Sequence, residues 1–315
     1  MLETIGMQGG PGSYSHKVVT EREPDSAMSH FEKFSQAFEA LDEGVVDRLW
    51  VPIENTRAGF ITGPYRLLTS HDTMGRYWMD EEYLMSVRHA LLAMEGATTE
   101  GIRKLESQPE ALRQCPEFLT RMNGQIEVEE GKDTALSARN VAKSGRLDYA
   151  AIAGVHAAEV YGLIILEEDI QDDELNLTRF VSVTRREDAR LRHQNSNVTA
   201  AVLTLASQKK GALHDALGVI NRNDINLRYI NSRHVPNSPL EVDVMTEMEV
   251  GLQEDRMTNV VRGLAEIGVG VTPLGTYPSD PLETEMAKTR DNGLPINVEE
   301  AVHAHQEFIQ QLRAA

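Results

Sequence analysis

Thr178, Arg179 and Phe180 stand together where a polar loop, residues 171–174, runs into an apolar-rich segment. The apolar residues that follow them, interleaved with polar ones, predict a β-strand. A hydroxyl and a guanidinium at the edge of a strand can donate several hydrogen bonds to an anionic small molecule. A surface ion pair is the plainer interpretation of Arg179, and the tripeptide alone does not choose between the two.

Three further polar clusters lie at junctions between predicted strands and helices. They are residues 12–15 (Gly-Ser-Tyr-Ser), residues 52–56 (Pro-Ile-Glu-Asn-Thr) and residues 107–115, which begin at Ser107 and end at Gln114-Cys115. Helix caps, an exposed loop acid and a solvated amide are the plainer interpretations. Ligands of open α/β sheets bind at strand ends, so the four clusters together point to a small-molecule site.

The elements that must position these clusters alternate between strands and helices over the first 190 residues, which indicates an α/β architecture. Helices are predicted after Ser13, after Ser35, over 108–122 and from Asp133 to about Gly145, and strands at 4–7, 49–53, 85–94, 149–152 and 163–166. Ser and Asp are favoured at the N-terminal end of a helix and Gly just beyond its C-terminal end.

A charged stretch, residues 185–197, separates this part from a second unit with a different order of strands and helices. Strands are predicted there at 198–205, 226–233, 240–246 and 270–274, with helices at 211–220 and around 257–264. The order β-α-β-β-α-β is typical of a ferredoxin-like fold. Further on, one face of an amphipathic helix is traced by Val298, Val302, His305, Ile309 and Leu312. We expect that helix to dock on the chain's own body or on a second subunit.

Composition narrows the class of protein. The 315 residues, 41% hydrophobic and 25% charged, predict a globular chain of two or three domains. A formal net charge of -18 argues against nucleic-acid and membrane partners, and an anionic ligand would need a locally basic site. One cysteine and an N-terminus without a basic and then apolar stretch predict no internal disulfide, no signal peptide and a cytoplasmic location.

Several chemistries find no support in the motifs. The glycine turn at 9–12 lacks the spacing of a phosphate-binding loop or a dinucleotide fingerprint. His303 and His305 stand two apart on a predicted helix, so they face apart and make a poor metal pair. Neither a Ser-His-Asp nor a Cys-His arrangement can be argued, and Cys115 is interpreted as a small core residue.

The order and spacing of the motifs resemble the prephenate dehydratase family over nearly the whole chain. The matching segments are residues 8–15, 51–56, Ser107-x-Pro109 with Gln114-Cys115, 133–135 and 176–180. The second unit looks like the family's ACT regulatory domain, through residues 211–213, 225–227 and 232–233.

This resemblance implies an α/β fold with a definite domain order. A catalytic domain of two periplasmic-binding-protein-like lobes, with the active site in the cleft between them, precedes a ferredoxin-like βαββαβ ACT domain. We expect the catalytic domain at 1–188, with lobe 1 at about 1–80 and 165–188 and lobe 2 at about 81–164. The ACT-like domain is expected at 197–278 and a C-terminal tail at 279–315.

The implied reaction is the decarboxylative dehydration of prephenate to phenylpyruvate in aromatic amino-acid biosynthesis, which needs no metal or organic cofactor. By resemblance the catalytic residues are Thr178, Glu54, Asn55 and Gln114. The Thr178 hydroxyl would donate a hydrogen bond to the departing ring hydroxyl, and a buried Glu54 would be a rival proton donor.

Substrate and effector contacts are also implied by the resemblance. Substrate binding falls to Ser13, Tyr14, Ser107, Thr134, Arg179 and Phe180, with Arg179 suited to a substrate carboxylate or to orienting its loop. Family members sense phenylalanine at a subunit interface of ACT domains. An L-phenylalanine effector and a homodimer or homotetramer are therefore expected, with effector contacts from Gly211, Ala212, Leu213, Asn231 and Ser232.

Departures from the family pattern keep other functions open. Gln108 and Glu110 stand where His and Gln are usual, and residues 231–234 and Val219 differ within the ACT-like unit. One alternative is a prephenate decarboxylase without aromatisation, although such relatives lack the Thr-Arg-Phe segment. Another is an arogenate dehydratase, whose substrate differs by a side-chain amine. The third is a catalytically silent regulator that binds an amino acid.

Overall fold

The computed structural model of the chain describes residues 2–70, 72–122, 126–173, 176–189, 193–205, 209–235 and 238–281. The amphipathic helix predicted at 298–312 lies outside these ranges. The strands are β1 (Thr4–Gln8), β2 (Ala27–Phe31), β3 (Arg48–Asn55), β4 (Gly59–Phe60), β5 (Tyr77–Ser86), β6 (Ala90–Ala93), β7 (Lys104–Ser107), β8 (Glu127–Glu130), β9 (Tyr149–Ala153), β10 (Ile164–Glu167), β11 (Leu177–Arg185), β12 (Val198–Leu205), β13 (Leu227–Val235), β14 (Ser238–Met248) and β15 (Gly270–Tyr277).

Helices connect most of these strands. They are α1 (Tyr14–Arg22), α2 (Phe34–Asp42), α3 (Thr62–Thr69), α4 (Pro109–Arg113), α5 (Pro116–Arg121), α6 (Thr134–Ser144), α7 (His156–Tyr161), α8 (Ala212–Arg222) and α9 (Asp255–Glu266). Both predicted ends of α6 are confirmed. The Asp133 carboxylate accepts a hydrogen bond from the Leu136 amide at 2.7 Å, and Gly145 adopts a left-handed conformation with φ 64°.

The first lobe is built on a mixed sheet with the strand order β5-β11-β3-β1-β2. β1 pairs in parallel with β2 and β3, whereas β11 runs antiparallel to both β3 and β5. The chain therefore leaves this lobe after β5 and re-enters it through β11. The β11–β3 register sets Thr178 opposite Asn55 and Arg179 opposite Glu54.

The second lobe is a separate sheet with the order β10-β6-β9-β7-β8. Its centre is apolar, and β9 and β6 are buried along their whole length. α6 packs on β9, and α4 and α5 cover the other side of the sheet through Ala111 and Phe118. Buried strands with helices on both faces are what an α/β lobe requires.

A ferredoxin-like unit follows, with the element order β12-α8-β13-β14-α9-β15 and the strand order β13-β14-β12-β15. Val219, Val260 and Leu264 from its two helices pack on Leu203 and Val244 of its sheet. Together with the two lobes, this arrangement confirms the predicted fold class.

The ferredoxin-like unit joins the first lobe directly, within one compact unit that ends at Ser279. β15 pairs with β5 where Gly275 meets Met79, and a Cβ atom on Gly275 would lie 2.1 Å from the Met79 carbonyl oxygen. A glycine is therefore required for this approach. Val181 of the lobe and Val202 of the ferredoxin-like unit belong to the same buried core.

One local expectation was wrong. The helix predicted over 108–122 is divided into α4 and α5, because Pro116 has no amide hydrogen to continue it. The break leaves Gln114 at the C-terminal end of α4. The lobe bounds near residues 80 and 165 stay a prediction; β5 extends to Ser86 in the first sheet and β10 to Glu167 in the second.

Candidate active site

A cleft of about 450 Å³ opens between the two lobes and is lined by residues of both. Lobe 1 contributes the start of α1, the end of β3 and the start of β11, while lobe 2 contributes α4 and the start of α6. Of the residues predicted for catalysis and substrate binding, those that line the cleft are Ser13, Tyr14, Asn55, Gln114, Thr134, Thr178 and Phe180.

Two helix N-termini face the cleft from opposite lobes. Ser13 caps α1 by accepting a hydrogen bond from the His16 amide at 3.2 Å, and Asp133 caps α6; both capping residues line the cleft. The N-terminus of a helix carries a partial positive charge and favours anions. Lys132 adds a full positive charge to the same lining. The carboxylates of Asp133 and Glu110 also line the cleft, so its wall combines these positive features with two acidic side chains.

The glycine turn before α1 forms a contact between the lobes. Gly12 has φ 78°, and a Cβ atom there would lie 3.0 Å from the Tyr161 ring of α7. The Tyr161 hydroxyl donates a hydrogen bond to the Pro11 carbonyl at 2.5 Å. The turn thus brings α1 and its cap against the second lobe.

Thr178 and Asn55 form the centre of the cleft wall. The Asn55 amide nitrogen donates to the Thr178 hydroxyl oxygen at 3.0 Å and to the Leu177 carbonyl at 3.1 Å. The Asn55 amide oxygen accepts from the backbone N–H groups of Arg57 and Ala58 at 2.9 and 2.8 Å. Because backbone N–H groups only donate, these bonds fix which end of the Asn55 amide faces Thr178.

The hydrogen bonds of Asn55 continue into lobe 2. The Asn176 amide oxygen, 2.9 Å from the Asn55 nitrogen, is a third acceptor for the two N–H groups of Asn55, so one of these hydrogens is shared. The Asn176 amide nitrogen donates to the Gln114 amide oxygen at 2.7 Å. We call Thr178, Asn55, Asn176 and Gln114 the amide chain. All four residues are buried, and none of them carries a charge. The amide chain therefore links the two lobes through neutral hydrogen bonds.

Several residues of this region were not predicted as site residues. His89 and Lys132 line the cleft, and Asn176 bridges Gln114 and Asn55. A single His before an apolar run and a single Lys before a helix carry no pattern that marks a site. Asn176 stood beside Thr178 in the motif, which was the available signal.

Ser107 does not present its hydroxyl to the cleft. The side chain is fully buried, and its hydroxyl donates to the Ile152 carbonyl at 2.7 Å. The residue therefore ties β7 to β9 inside the second lobe. For the Ser107 hydroxyl to donate to a substrate oxygen, that hydrogen bond would have to break.

Glu54 and Arg179 lie on the opposite face of their strands from Asn55 and Thr178, so neither lines the cleft. The Arg179 guanidinium donates to Glu247 of β14 at 2.6 and 2.7 Å and to Glu82 of β5 at 3.0 Å. Its Nε atom is 3.6 Å from Glu54. The structure thus separates two residues that the motifs grouped with the cleft.

Arg228 of β13 completes this group by donating to both oxygens of Glu82 at 3.1 Å. We call Glu82, Arg179, Arg228 and Glu247 the ionic cluster. The Glu82 and Glu247 side chains are fully buried, and those of the two arginines are 8% and 7% exposed. The cluster joins β11 and β5 of the first lobe to the ferredoxin-like unit.

Burial and charge act against each other in the ionic cluster. Burial alone would lower the pKa of Arg179, but the carboxylates of Glu247, Glu82 and Glu54 raise it above its ordinary value. Burial raises the pKa of Glu247, against the opposing effect of Arg179 and Arg228. The ion pairs therefore offset the free-energy cost of removing these charges from water. A single buried charge without a partner would bear that cost in full.

The residues predicted for effector binding lie on two separate elements of the ferredoxin-like unit. Gly211, Ala212 and Leu213 stand at the start of α8, where Gly211 has φ 81° and Leu213 is exposed. Asn231 and Ser232 lie on β13, at the edge of the sheet.

Two other kinds of site receive no support from the described residues. Within the ranges given above, no group of three or more His, Cys, Asp or Glu side chains is arranged to hold a metal ion. In the same ranges no helix has the length and apolar composition needed to cross a membrane.

Comparisons with known proteins agree with this geometry. Residues 5–188 match the family model described as prephenate dehydratase. Arogenate dehydratase/prephenate dehydratase 1 of Arabidopsis thaliana is 35% identical over 290 residues, which cover 88% of this chain and 72% of that protein. Arogenate dehydratase 2 of Petunia hybrida is 32% identical, with the same coverage.

Solved structures share the fold. Prephenate dehydratase from Arthrobacter aurescens in complex with L-Phe superimposes with a TM-score of 0.78 at 22% identity, covering 99% of this chain and 100% of that one. A structure described as GqqA, a novel type of quorum quenching acylase, has a TM-score of 0.80 at 26% identity and covers 89% of this chain and 100% of that one.

Proposed function

Because the chain belongs to the prephenate dehydratase family, we propose that it converts prephenate to phenylpyruvate, CO2 and water in the cleft between its lobes. The ring carboxylate leaves as CO2, and its bonding electrons move into the ring. The bond between the ring carbon and the hydroxyl oxygen breaks, and that oxygen leaves as water after gaining one proton. The aromatic ring that forms drives the reaction.

The hydrogen bonding of Thr178 carries this proposal. Within the described part of the chain, its hydroxyl takes part in one hydrogen bond, which it accepts from Asn55. Its own proton is therefore available to an acceptor in the cleft, and accepting a hydrogen bond strengthens a hydroxyl as a donor. A threonine is too weak an acid to ionise, so it acts by a hydrogen bond that strengthens as charge develops on the leaving oxygen.

The rest of the cleft suits a dianion with an apolar ring. Two helix N-termini and Lys132 favour carboxylates, and Phe180 and Val87 supply apolar lining. The groups bonded to Thr178 are neutral, whereas Asp133 and Glu110 also line the cleft, so Lys132 and the helix N-termini have to offset the repulsion of these carboxylates toward a dianion.

Arogenate is the second candidate substrate, and a residue of the cleft favours it. Glu110 lines the cleft, and its hydrogen bond from Arg113 lowers its pKa, so it is ionised at neutral pH. A carboxylate on this wall can pair with the ammonium group of arogenate, which prephenate lacks. The relatives named arogenate dehydratase support the same reading.

Parallel assays of the pure protein with prephenate and with arogenate test these proposals. Aromatic product and CO2 in equal amounts support the dehydratase, and the ratio of kcat/KM values assigns the preferred substrate. CO2 with a non-aromatic product would indicate a decarboxylase. Neither product, with amino-acid binding retained, would indicate a regulator.

We also propose that the ferredoxin-like unit is an ACT domain that binds an aromatic amino acid between two copies of the chain. The relative solved with L-Phe supports this. So does the start of α8, where exposed residues follow the left-handed Gly211. Calorimetric titration with L-phenylalanine, combined with light scattering, tests both parts. Absence of heat would contradict the effector, and a monomeric mass would contradict the subunit interface.

A further inference from the structure

The far end of the amide chain meets a histidine. The Gln114 amide oxygen accepts from Asn176 and also lies 2.8 Å from His89 Nε2. His89 Nδ1 is 3.1 Å from the Tyr14 hydroxyl, which is itself 2.8 Å from the Arg88 carbonyl. Hydrogen bonds therefore run without a gap from Tyr14 through His89 to Thr178.

The orientation of the Gln114 amide is set by chemistry on its other side. The Gln114 amide nitrogen lies 3.2 Å from a Glu110 carboxylate oxygen. An ionised carboxylate only accepts, so the NH₂ group of Gln114 must face Glu110 and its oxygen must face His89 and Asn176. Glu110 is held in the ionised form by Arg113.

The protonation state of His89 follows from the orientation of the Gln114 amide. Because the Gln114 oxygen only accepts, the Nε2 atom of His89 must carry a proton. Burial lowers the pKa of His89 and so favours the neutral ring. The hydrogen bond to Gln114 has a smaller, opposing effect on that pKa. A neutral ring with a proton on Nε2 leaves Nδ1 as an acceptor, and the single proton of the Tyr14 hydroxyl is then shared between Nδ1 and the Arg88 carbonyl.

Few charged groups lie near the His89 ring to favour its protonated form. The groups that face the ring are the Tyr14 hydroxyl of α1 and the amide of Gln114 at the end of α4. The backbone N–H of His89 donates to Gln171 at 2.8 Å. Neighbouring Arg88 is paired with Asp169 at 3.0 Å, with both side chains exposed. Cys115 is buried next to Gln114, and its raised pKa of about 12 keeps it a neutral thiol.

We propose that His89 is a positioning residue whose Nε2–H group, together with Glu110, holds the Gln114 end of the amide chain, while the Arg57 and Ala58 amides hold its Asn55 end, so that Thr178 keeps its proton directed into the cleft. The importance of that proton rests on the proposed function. If Gln114 turned over, its NH₂ group would face the Asn176 donor, and Asn176 could not turn in response because its oxygen accepts from the fixed NH₂ group of Asn55. A donor at the Nε2 position prevents this reversal.

Three variants separate this role from packing. In His89→Gln the amide nitrogen reaches the position of Nε2, in His89→Asn it reaches that of Nδ1, and His89→Leu offers no donor. We expect His89→Gln to keep kcat within about threefold. His89→Asn and His89→Leu should lower kcat by about 10- to 100-fold with KM nearly unchanged, since small misplacements of reacting groups have effects of that size. The outcome that overturns the proposal is a wild-type kcat for His89→Leu, or rescue by Asn and not by Gln.

Nitrogen NMR of histidine-labelled protein at pH 7 provides a test without substrate. The signal assigned to His89 by comparison with His89→Gln should report a neutral ring protonated at Nε2. A proton on Nδ1 alone, or a charged ring, contradicts the proposal. The NMR result does not depend on turnover, so failure of the proposed reaction and failure of the positioning role are distinguishable.

Discussion

The two faces of the strands β3 and β11 differ in the way they hold polar side chains. On the cleft face, Asn55 and Thr178 belong to the neutral amide chain. On the opposite face, one residue away in sequence, Arg179 belongs to the ionic cluster and lies near Glu54. Side chains of a strand alternate between faces, so adjacent residues of one motif serve different neighbours.

The contrast follows from what each face must do. A neutral chain of amides can fix the direction of a hydroxyl proton without placing a negative charge in contact with that hydroxyl. The other face joins separate parts of the chain, and charged pairs with fixed geometry specify that contact. We infer that the motif Thr178-Arg179-Phe180 combines reaction chemistry with a structural connection between domains.

Removing Arg179 from the ionic cluster should produce the largest effect on stability. Arg179→Met leaves Glu247 and Glu82 buried with fewer partners, so we expect the free energy of unfolding to fall by about 3 to 5 kcal/mol. Urea denaturation measures this loss. Arg57→Met is the matched control, because its pair with Asp173 is exposed and should contribute less than about 1 kcal/mol. Equal losses in the two variants would contradict a structural role for the cluster.

Replacing one hydrogen-bond donor of the amide chain by an acceptor should lower kcat. Asn55→Asp replaces an NH₂ donor by an oxygen that faces three acceptors, among them Thr178. The Thr178 hydroxyl would then turn to donate to the new carboxylate. We expect kcat to fall by about 100-fold, equivalent to about 2.7 kcal/mol. Asn55→Ala, which removes the donor without reversing it, should fall less. The order would be the opposite if Asn55 acted only by filling space.

A buried acid on β5, outside the ionic cluster, provides the smallest effect. Burial raises the pKa of Asp80 on β5 to about 6, against opposing effects of Arg48 and Ser182. The raised pKa means that the folded state favours the protonated acid, so stability is lost as the pH rises from about 4 through 6. Relative to Asp80→Asn, the wild type should gain about 2 kcal/mol in unfolding free energy between pH 7 and pH 4. A difference that stays constant with pH would contradict this.

Much of the fold was accessible from the sequence, because caps, glycines and apolar spacing act locally. The ends of α6 and the βαββαβ order of the ferredoxin-like unit were predicted in this way. The break between α4 and α5 was missed, although Pro116 marks it. That break matters because it places Gln114 at a helix end, where its side chain reaches both lobes.

The site was predicted less completely, because it depends on contacts between distant segments. Glu54 and Asn55 are adjacent, and only one can face the cleft; the pairing of β3 with β11 decides which. The hydroxyl of Ser107 is taken by a carbonyl 45 residues away. His89 lies beside Gln114 because β6 and α4 belong to the same lobe, and no local pattern records that proximity.

The turnover of Thr178→Val with prephenate tests the central claim most directly. Valine keeps the shape and removes the hydroxyl, so we expect kcat to fall by about 100- to 1000-fold. The free energy of unfolding should change by only about 1 kcal/mol, and Thr178→Ser, which keeps a hydroxyl, should retain most of the activity. A folded Thr178→Val protein that forms phenylpyruvate within tenfold of the wild-type rate would contradict the role of this hydroxyl.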